Sequence, residues 1–168
     1  TGVQTCALPI CSRDFPQRLS AFPVAISGRL SRLTEVDRYE FVADQDGWMT
    51  VELFARRLGS DFLGVIEVHD SDGLLLGDLV DTPGQDGAVS FAVKAGKQYT
   101  VSLHDVDFRG DRAYVYRLAI RRGSRVVGML PAAAQRGSTR EYEFVGFGIA
   151  SGKPTLRSEE HTSELQSH

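Results

Sequence analysis

Apolar and polar residues alternate with a period of two along most of the chain, the sign of strands with one buried and one wet face. In residues 48–55, Met49, Val51, Leu53 and Ala55 share one face, and Thr50 and Glu52 take the other. In 88–94, Val89, Phe91 and Val93 oppose Ser90 and Lys94. In 98–105, Tyr99, Val101 and Leu103 oppose Thr100, Ser102 and His104, and in 112–121 a stripe runs through Tyr114, Tyr116, Leu118 and Ile120. Residues 24–30, 38–43, 63–70 and 74–80 are further candidate strands. Asp46-Gly47, Asp72-Gly73 and Asp86-Gly87 are pairs suited to tight turns that need positive φ. Thr82-Pro83-Gly84 and Ala95-Gly96-Lys97 mark two more turns. No window of helical length carries a 3.6-residue stripe. The pattern predicts an all-β fold, an antiparallel jelly-roll-like β-sandwich of about eight strands.

The pattern changes near Arg121-Arg122-Gly123-Ser124. Val126 to Leu130, Pro131, an alanine run, Arg136-Gly137 and a new alternating run at 142–145 follow. They read as the opening strands of a second β domain, cut short at Leu156. Such a stub buries little surface by itself.

The two ends do not continue either pattern. Thr1 to Ile10 can be encoded by ACTGGAGTTCAGACGTGTGCTCTTCCGATC. The reverse complement of that DNA, with one A before it, encodes Arg157 to Gln166 and opens the codon of Ser167. One segment read in both senses thus gives both ends, and it resembles a common short-read sequencing adapter. Unrelated termini would almost never meet that constraint. The expected organisation is therefore 1–11 adapter-derived, 12–122 a complete sandwich, 123–156 a truncated second β domain and 157–168 adapter-derived.

Composition sharpens this reading. The 168 residues carry a formal net charge of −3. Setting aside Arg157, Glu159, Glu160 and Glu164 leaves 18 basic and 19 acidic residues, a net charge of −1. That balance lacks the basic excess of a nucleic-acid binder. No run of 18 apolar residues offers a membrane-spanning helix. Cys6 falls in the adapter segment and Cys11 at its junction, so cysteine content carries no redox argument.

Candidate chemistry is sparse. A Ser-His-Asp set needs a nucleophile on a strained turn, and no Gly-x-Ser-x-Gly elbow is present. His69 and His104 fall on the polar parity of their strands and read as surface residues. Two separated histidines make no zinc site. Calcium needs six to eight oxygens. Asp44 with Asp46 and Asp70 with Asp72 suit turn stabilisation. Asp105, Asp107 and Asp111, in a long polar loop, are the candidate calcium ligands. Trp48, on the polar parity of its strand, is a candidate platform for stacking a glycan ring, or else caps the core beside the Asp46-Gly47 turn. Arg109-Gly110-Asp111 spells an integrin-type tripeptide, read here as coincidence. Arg56-Arg57 and Arg121-Arg122 read as solvated strand ends.

Four stretches carry a family likeness. Ile26-Ser27-Gly28-Arg29-Leu30 precedes Asp37-Arg38-Tyr39-Glu40-Phe41-Val42-Ala43. Ile66 to Leu76 contains Asp70-Ser71-Asp72-Gly73 between two strands. Val93-Lys94-Ala95-Gly96-Lys97-Gln98-Tyr99-Thr100-Val101 holds an Ala-Gly turn, one residue longer than the family's at Gln98. Tyr116-Arg117-Leu118-Ala119-Ile120 closes the series. In order and spacing, 23–122 resembles the bacterial pre-peptidase C-terminal (PPC) domain, without the acidic Asn-Asp segment usual before its first strand. The region of Pro131 and Arg136-Gly137 resembles the start of an immunoglobulin-like repeat. The resemblance implies a non-catalytic accessory domain of a larger secreted or surface bacterial protein, serving as spacer, stabiliser or adhesion module. The alternative it implies is a calcium-dependent glycan- or matrix-binding module. Expected partners are neighbouring domains of the same polypeptide and extracellular polysaccharide or matrix protein, with no nucleic acid, no membrane insertion and no cofactor unless calcium.

Overall fold

The computed structural model describes residues 4–7, 15–81, 84–133, 135–137, 139–149 and 155–157. Cys11, the 12 boundary, Thr82-Pro83, Ala134, His161 and His168 lie outside them. The chain divides into two compact units, Thr1–Gly123 and Ser124–His168.

The first unit is an all-β sandwich. Its strands are β1 (Gln4–Ala7), β2 (Gln17–Leu19), β3 (Val24–Arg29), β4 (Asp37–Val42), β5 (Gly47–Phe54), β6 (Gly64–Asp70), β7 (Leu75–Val80), β8 (Gly87–Val93), β9 (Gln98–Asp105) and β10 (Val115–Arg122). One sheet has the order β1-β3-β10-β5-β8, the other β2-β4-β9-β6-β7. The eight strands β3 to β10 match the eight alternating runs. One 3-10 turn, Arg56–Leu58, interrupts them. Among the described residues no helix is long and apolar enough to cross a membrane.

The core follows from the alternation. Met49, Val51 and Leu53 of β5, Val89, Phe91 and Val93 of β8, and Tyr116, Leu118 and Ile120 of β10 point inward from one sheet. Tyr39 and Phe41, Ile66 and Val68, and Tyr99, Val101 and Leu103 meet them from the other. Burying each such side chain stabilises by about 1.5–3 kcal/mol before chain entropy is counted.

Three expectations are corrected. Two edge pairings are parallel rather than antiparallel: β2 with β4, and β1 with β3, where Gln4 to Ala7 lie opposite Val24 to Ser27. Both partners are short edge segments joined through main-chain groups, which constrain sequence little. Thr50 and Ser102, on polar parities, are buried, and the Thr50 hydroxyl bonds the Ser90 hydroxyl at 2.8 Å. His104 is also buried rather than on the surface. Its ring stacks on Phe108 at 4.3 Å and 5°, and Nδ1 lies 2.8 Å from the Asp105 carbonyl oxygen. A loop residue covers what strand parity alone leaves open.

The second unit contains β11 (Arg125–Leu130), β12 (Thr139–Glu141), β13 (Glu143–Phe147) and β14 (Thr155–Arg157). They form two two-stranded antiparallel sheets, β11-β13 and β12-β14. The alternating run at 142–145 is divided differently from expectation, since Tyr142 sits buried between β12 and β13. Val126, Val127, Leu130 and Val145 remain exposed, as two-stranded sheets cover little apolar surface.

Gly28 sits opposite Tyr116 in the β3–β10 pair. A Cβ at Gly28 would lie 2.3 Å from the Tyr116 hydroxyl oxygen. Gly28→Ala is expected to lower the unfolding free energy by about 1–3 kcal/mol, as overpacking of a filled interior does. Urea denaturation measures it, and an unchanged midpoint would contradict the close approach.

Candidate functional site

Polar chemistry concentrates at four places in the sandwich. The first lies inside the core. The Tyr116 hydroxyl of β10 donates to the Asp37 carboxylate of β4, and Tyr39 and Tyr116 hydroxyl oxygens are 2.5 Å apart. Asp37 is buried. Burial pushes its carboxyl up to about 6, against the lowering effect of the Tyr116 hydrogen bond and with a further push from Glu35. Burial also raises Tyr116 well above its ordinary value. The Glu35 carboxylate accepts the Ser31 and Arg32 N–H groups at 2.6 and 2.7 Å.

The second is the predicted calcium loop. Asp105 is fully buried. Its oxygens accept the N–H groups of Leu63, Asp107 and Arg109 at 3.2, 3.1 and 3.1 Å, and the Arg109 guanidinium at 3.1 and 3.4 Å. Burial works to raise this carboxyl, but the Arg109 side chain and the backbone donors outweigh it and hold it below the usual range. Asp107 is exposed and lies 3.5 Å from the Arg109 Nε. Asp111 is exposed and accepts the Ala113 N–H at 2.7 Å. The three carboxylates thus engage separate partners within the loop. Among the described residues no group of three His, Cys, Asp or Glu is placed to hold a metal ion. The Arg-Gly-Asp tripeptide is equally engaged. A Cβ at Gly110 would lie 2.1 Å from the Arg32 carbonyl oxygen, and the Asp111 N–H donates to Leu30.

The third place is Asp86, at a positive φ of 61°. It accepts the N–H groups of Ala55, Arg56 and Arg57 at 2.9, 2.8 and 3.1 Å, and the Arg57 Nε at 3.0 Å. Burial opposes its ionisation, and these four donors overcome it, leaving the carboxyl below the usual range. Asp81 in turn accepts the Gln85 and Asp86 N–H groups. The candidate turn aspartates act similarly. Asp70 accepts Asp72 and Leu74 N–H, both at 2.9 Å, and closes the β6–β7 hairpin. Asp46 instead reaches across to the Ala95 N–H at 2.8 Å.

The fourth is a cleft of about 220 Å³ at the Trp48 end of β5. Phe22 and Trp48, both half-buried, line it above the buried Phe41 and Met49. Asp44 and Arg122 flank it and pair at 2.8 Å. Trp48 therefore sits both at the end of the core, beside the Asp46-Gly47 turn, and on the wall of an open cleft. His69 is half-buried on the outer face of β6, one strand from the buried His104 of β9.

The sandwich has the fold of a PPC domain. A pre-peptidase C-terminal domain of a collagenase from Bacillus anthracis superposes with a TM-score of 0.52 at 15% identity, over 64% of this chain and 95% of that one. A periplasmic inhibitor of g-type lysozyme from Aeromonas hydrophila covers 73% of this chain and 100% of its own at 14% identity, with a TM-score of 0.44. No protein-family model and no curated protein matches the chain.

Sequence reasoning missed Asp37, Asp81 and Asp86. For Asp86 the Asp-Gly pair was a signal for the turn, not for the carboxylate's three backbone partners. For Asp37 there was the Asp-x-Tyr-x-Phe run, which placed Asp37 on the same parity as Tyr39 and Phe41. A carboxyl on a core parity announces a buried acid.

The Asp37 shift has a definite sign. The folded state retains a proton that an unfolded Asp, at 3.8, releases earlier. Stability contributed by the protonated form is complete below that value and is lost as pH rises towards 6. The unfolding free energy is expected to fall by about 2 kcal/mol between pH 4 and pH 6 from this residue. Urea melts across that range should show the fall in the natural chain and a flatter profile in Asp37→Asn.

Proposed function

We propose that residues 12–122 form a non-catalytic accessory domain of a larger secreted or surface bacterial protein, acting as a spacer, stabilising or adhesion module. Residues 123–156 are then the start of a following immunoglobulin-like domain, and 1–11 and 157–168 are adapter-derived. The observation that carries this reading is the superposition on nearly the whole of a collagenase's pre-peptidase C-terminal domain, by its name one domain of that enzyme. The internal use of the loop carboxylates agrees with it: Asp105 and Asp86 spend their oxygens on backbone and arginine donors. Groups spent in this way hold loops in place.

Two measurements test the reading. The genomic reading frame is expected to run on into a further domain and to lack the codons of 1–10 and 157–168. Genomic DNA encoding Thr1 to Ile10 in frame sinks the terminal assignment, and a start and a stop bounding this unit alone sink the accessory role. Thermal melts with calcium and with a chelator are expected to share one midpoint. A midpoint that rises and saturates with calcium favours the calcium-dependent module instead, with Asp105, Asp107 and Asp111 as its ligands, because a ligand selective for the folded state stabilises it.

A further inference from the structure

The cleft beside Trp48 combines three features. Two half-buried aromatic rings, Phe22 and Trp48, line it beside the exposed Asp44, Gln45, Asp46 and Arg122. Aromatic faces bind the C–H faces of flat, partly apolar rings. Its volume, about 220 Å³, is below the range of a drug-sized pocket and suits a single ring. Its charges are paired within the protein: Asp44 with Arg122 at 2.8 Å, and Asp46 with Lys94 at 2.9 Å. Arg122 is further fixed with its guanidinium carbon 5.5 Å from the centre of the Phe22 ring, which itself meets Phe41 edge-on at 5.0 Å.

Paired charges decide the ligand class. An anion would have to draw Arg122 from Asp44, and a cation would have to draw Asp44 or Asp46 from its partner. A neutral ligand leaves both pairs intact and uses the remaining lone pairs of Asp44, the amide of Gln45 and the unused N–H groups of Arg122. Hydroxyl groups, which both donate and accept, match that mixture.

We propose that this cleft binds one ring of a neutral saccharide, with its C–H face stacked on Trp48, its edge against Phe22 and its hydroxyl groups directed to Asp44, Gln45 and Arg122. The proposal rests on the adhesive side of the reading above, and it assigns that role to one end of the sandwich rather than to a sheet face.

Trp48 is the single tryptophan of the chain, so its emission reports on the cleft directly. The whole chain is titrated with the methyl glycosides of glucose, galactose, mannose and N-acetylglucosamine, and with glucuronate and glucosamine as charged counterparts. The expected result is a saturable change in emission with a neutral glycoside in the range of about millimolar. Its charged counterpart should bind about tenfold or more weakly, and so should the neutral glycoside to Phe22→Ala. Gln45→Ala, an exposed substitution, serves as the second variant if Phe22→Ala does not fold. No saturable change with any neutral glycoside, tighter binding of the charged sugars, or unaltered binding by both variants overturns the proposal. Retention on insoluble polysaccharide separates the two levels. If the chain is retained and both variants are retained equally, adhesion stands and the cleft is the wrong site. If neither the chain nor the variants are retained and no glycoside binds, both fall.

Discussion

The two sheets face each other across an apolar layer, and within it Tyr116 on β10 reaches the Asp37 carboxylate and the Tyr39 hydroxyl on β4. An apolar layer is indifferent to small slides of one sheet over the other, whereas a hydrogen bond is not. This contact therefore fixes the register between the sheets. It needs room, which Gly28 supplies by having no side chain beneath the Tyr116 ring. Burial disfavours the charge on that acid, while the Tyr116 hydrogen bond favours it. One glycine, one acid and two tyrosines from three strands thus form a single arrangement, each member serving the others.

Outside the core, carboxylates organise the connections. Asp105, Asp86, Asp81 and Asp70 each gather backbone N–H groups that no strand partner satisfies. A buried backbone donor without a partner costs free energy comparable to a lost hydrogen bond. Long connections between sheets therefore need acceptors, and aspartate supplies two oxygens on a short stem. The acidic residues of this chain look like a metal set when counted along the sequence. In space Asp105, Asp86, Asp81 and Asp70 stand at separate connections, each accepting backbone N–H groups.

The fold was legible in the chain because period-two alternation is a local signal. Eight strands and the core parity of Met49, Val51, Leu53, Val101 and Leu118 follow from it directly. What the alternation could not reveal depends on distant contacts. His104 has a polar parity, but Phe108, four residues later, turns back over it. Thr50 is hidden beside Ser90, forty residues away. The cleft was legible only in part. Trp48 stood out as a half-exposed ring, while Phe22 and Arg122 come from β-strand margins that sequence spacing does not connect.

The strand Gln4–Ala7 runs parallel along Val24 to Ser27. The ladder is written in main-chain groups, so β3 selects its neighbour by extension and reach, not by side chain. A segment proposed to owe its sequence to an adapter still lies along Val24 to Ser27, so this rim takes up an extended strand without a matched side-chain pattern.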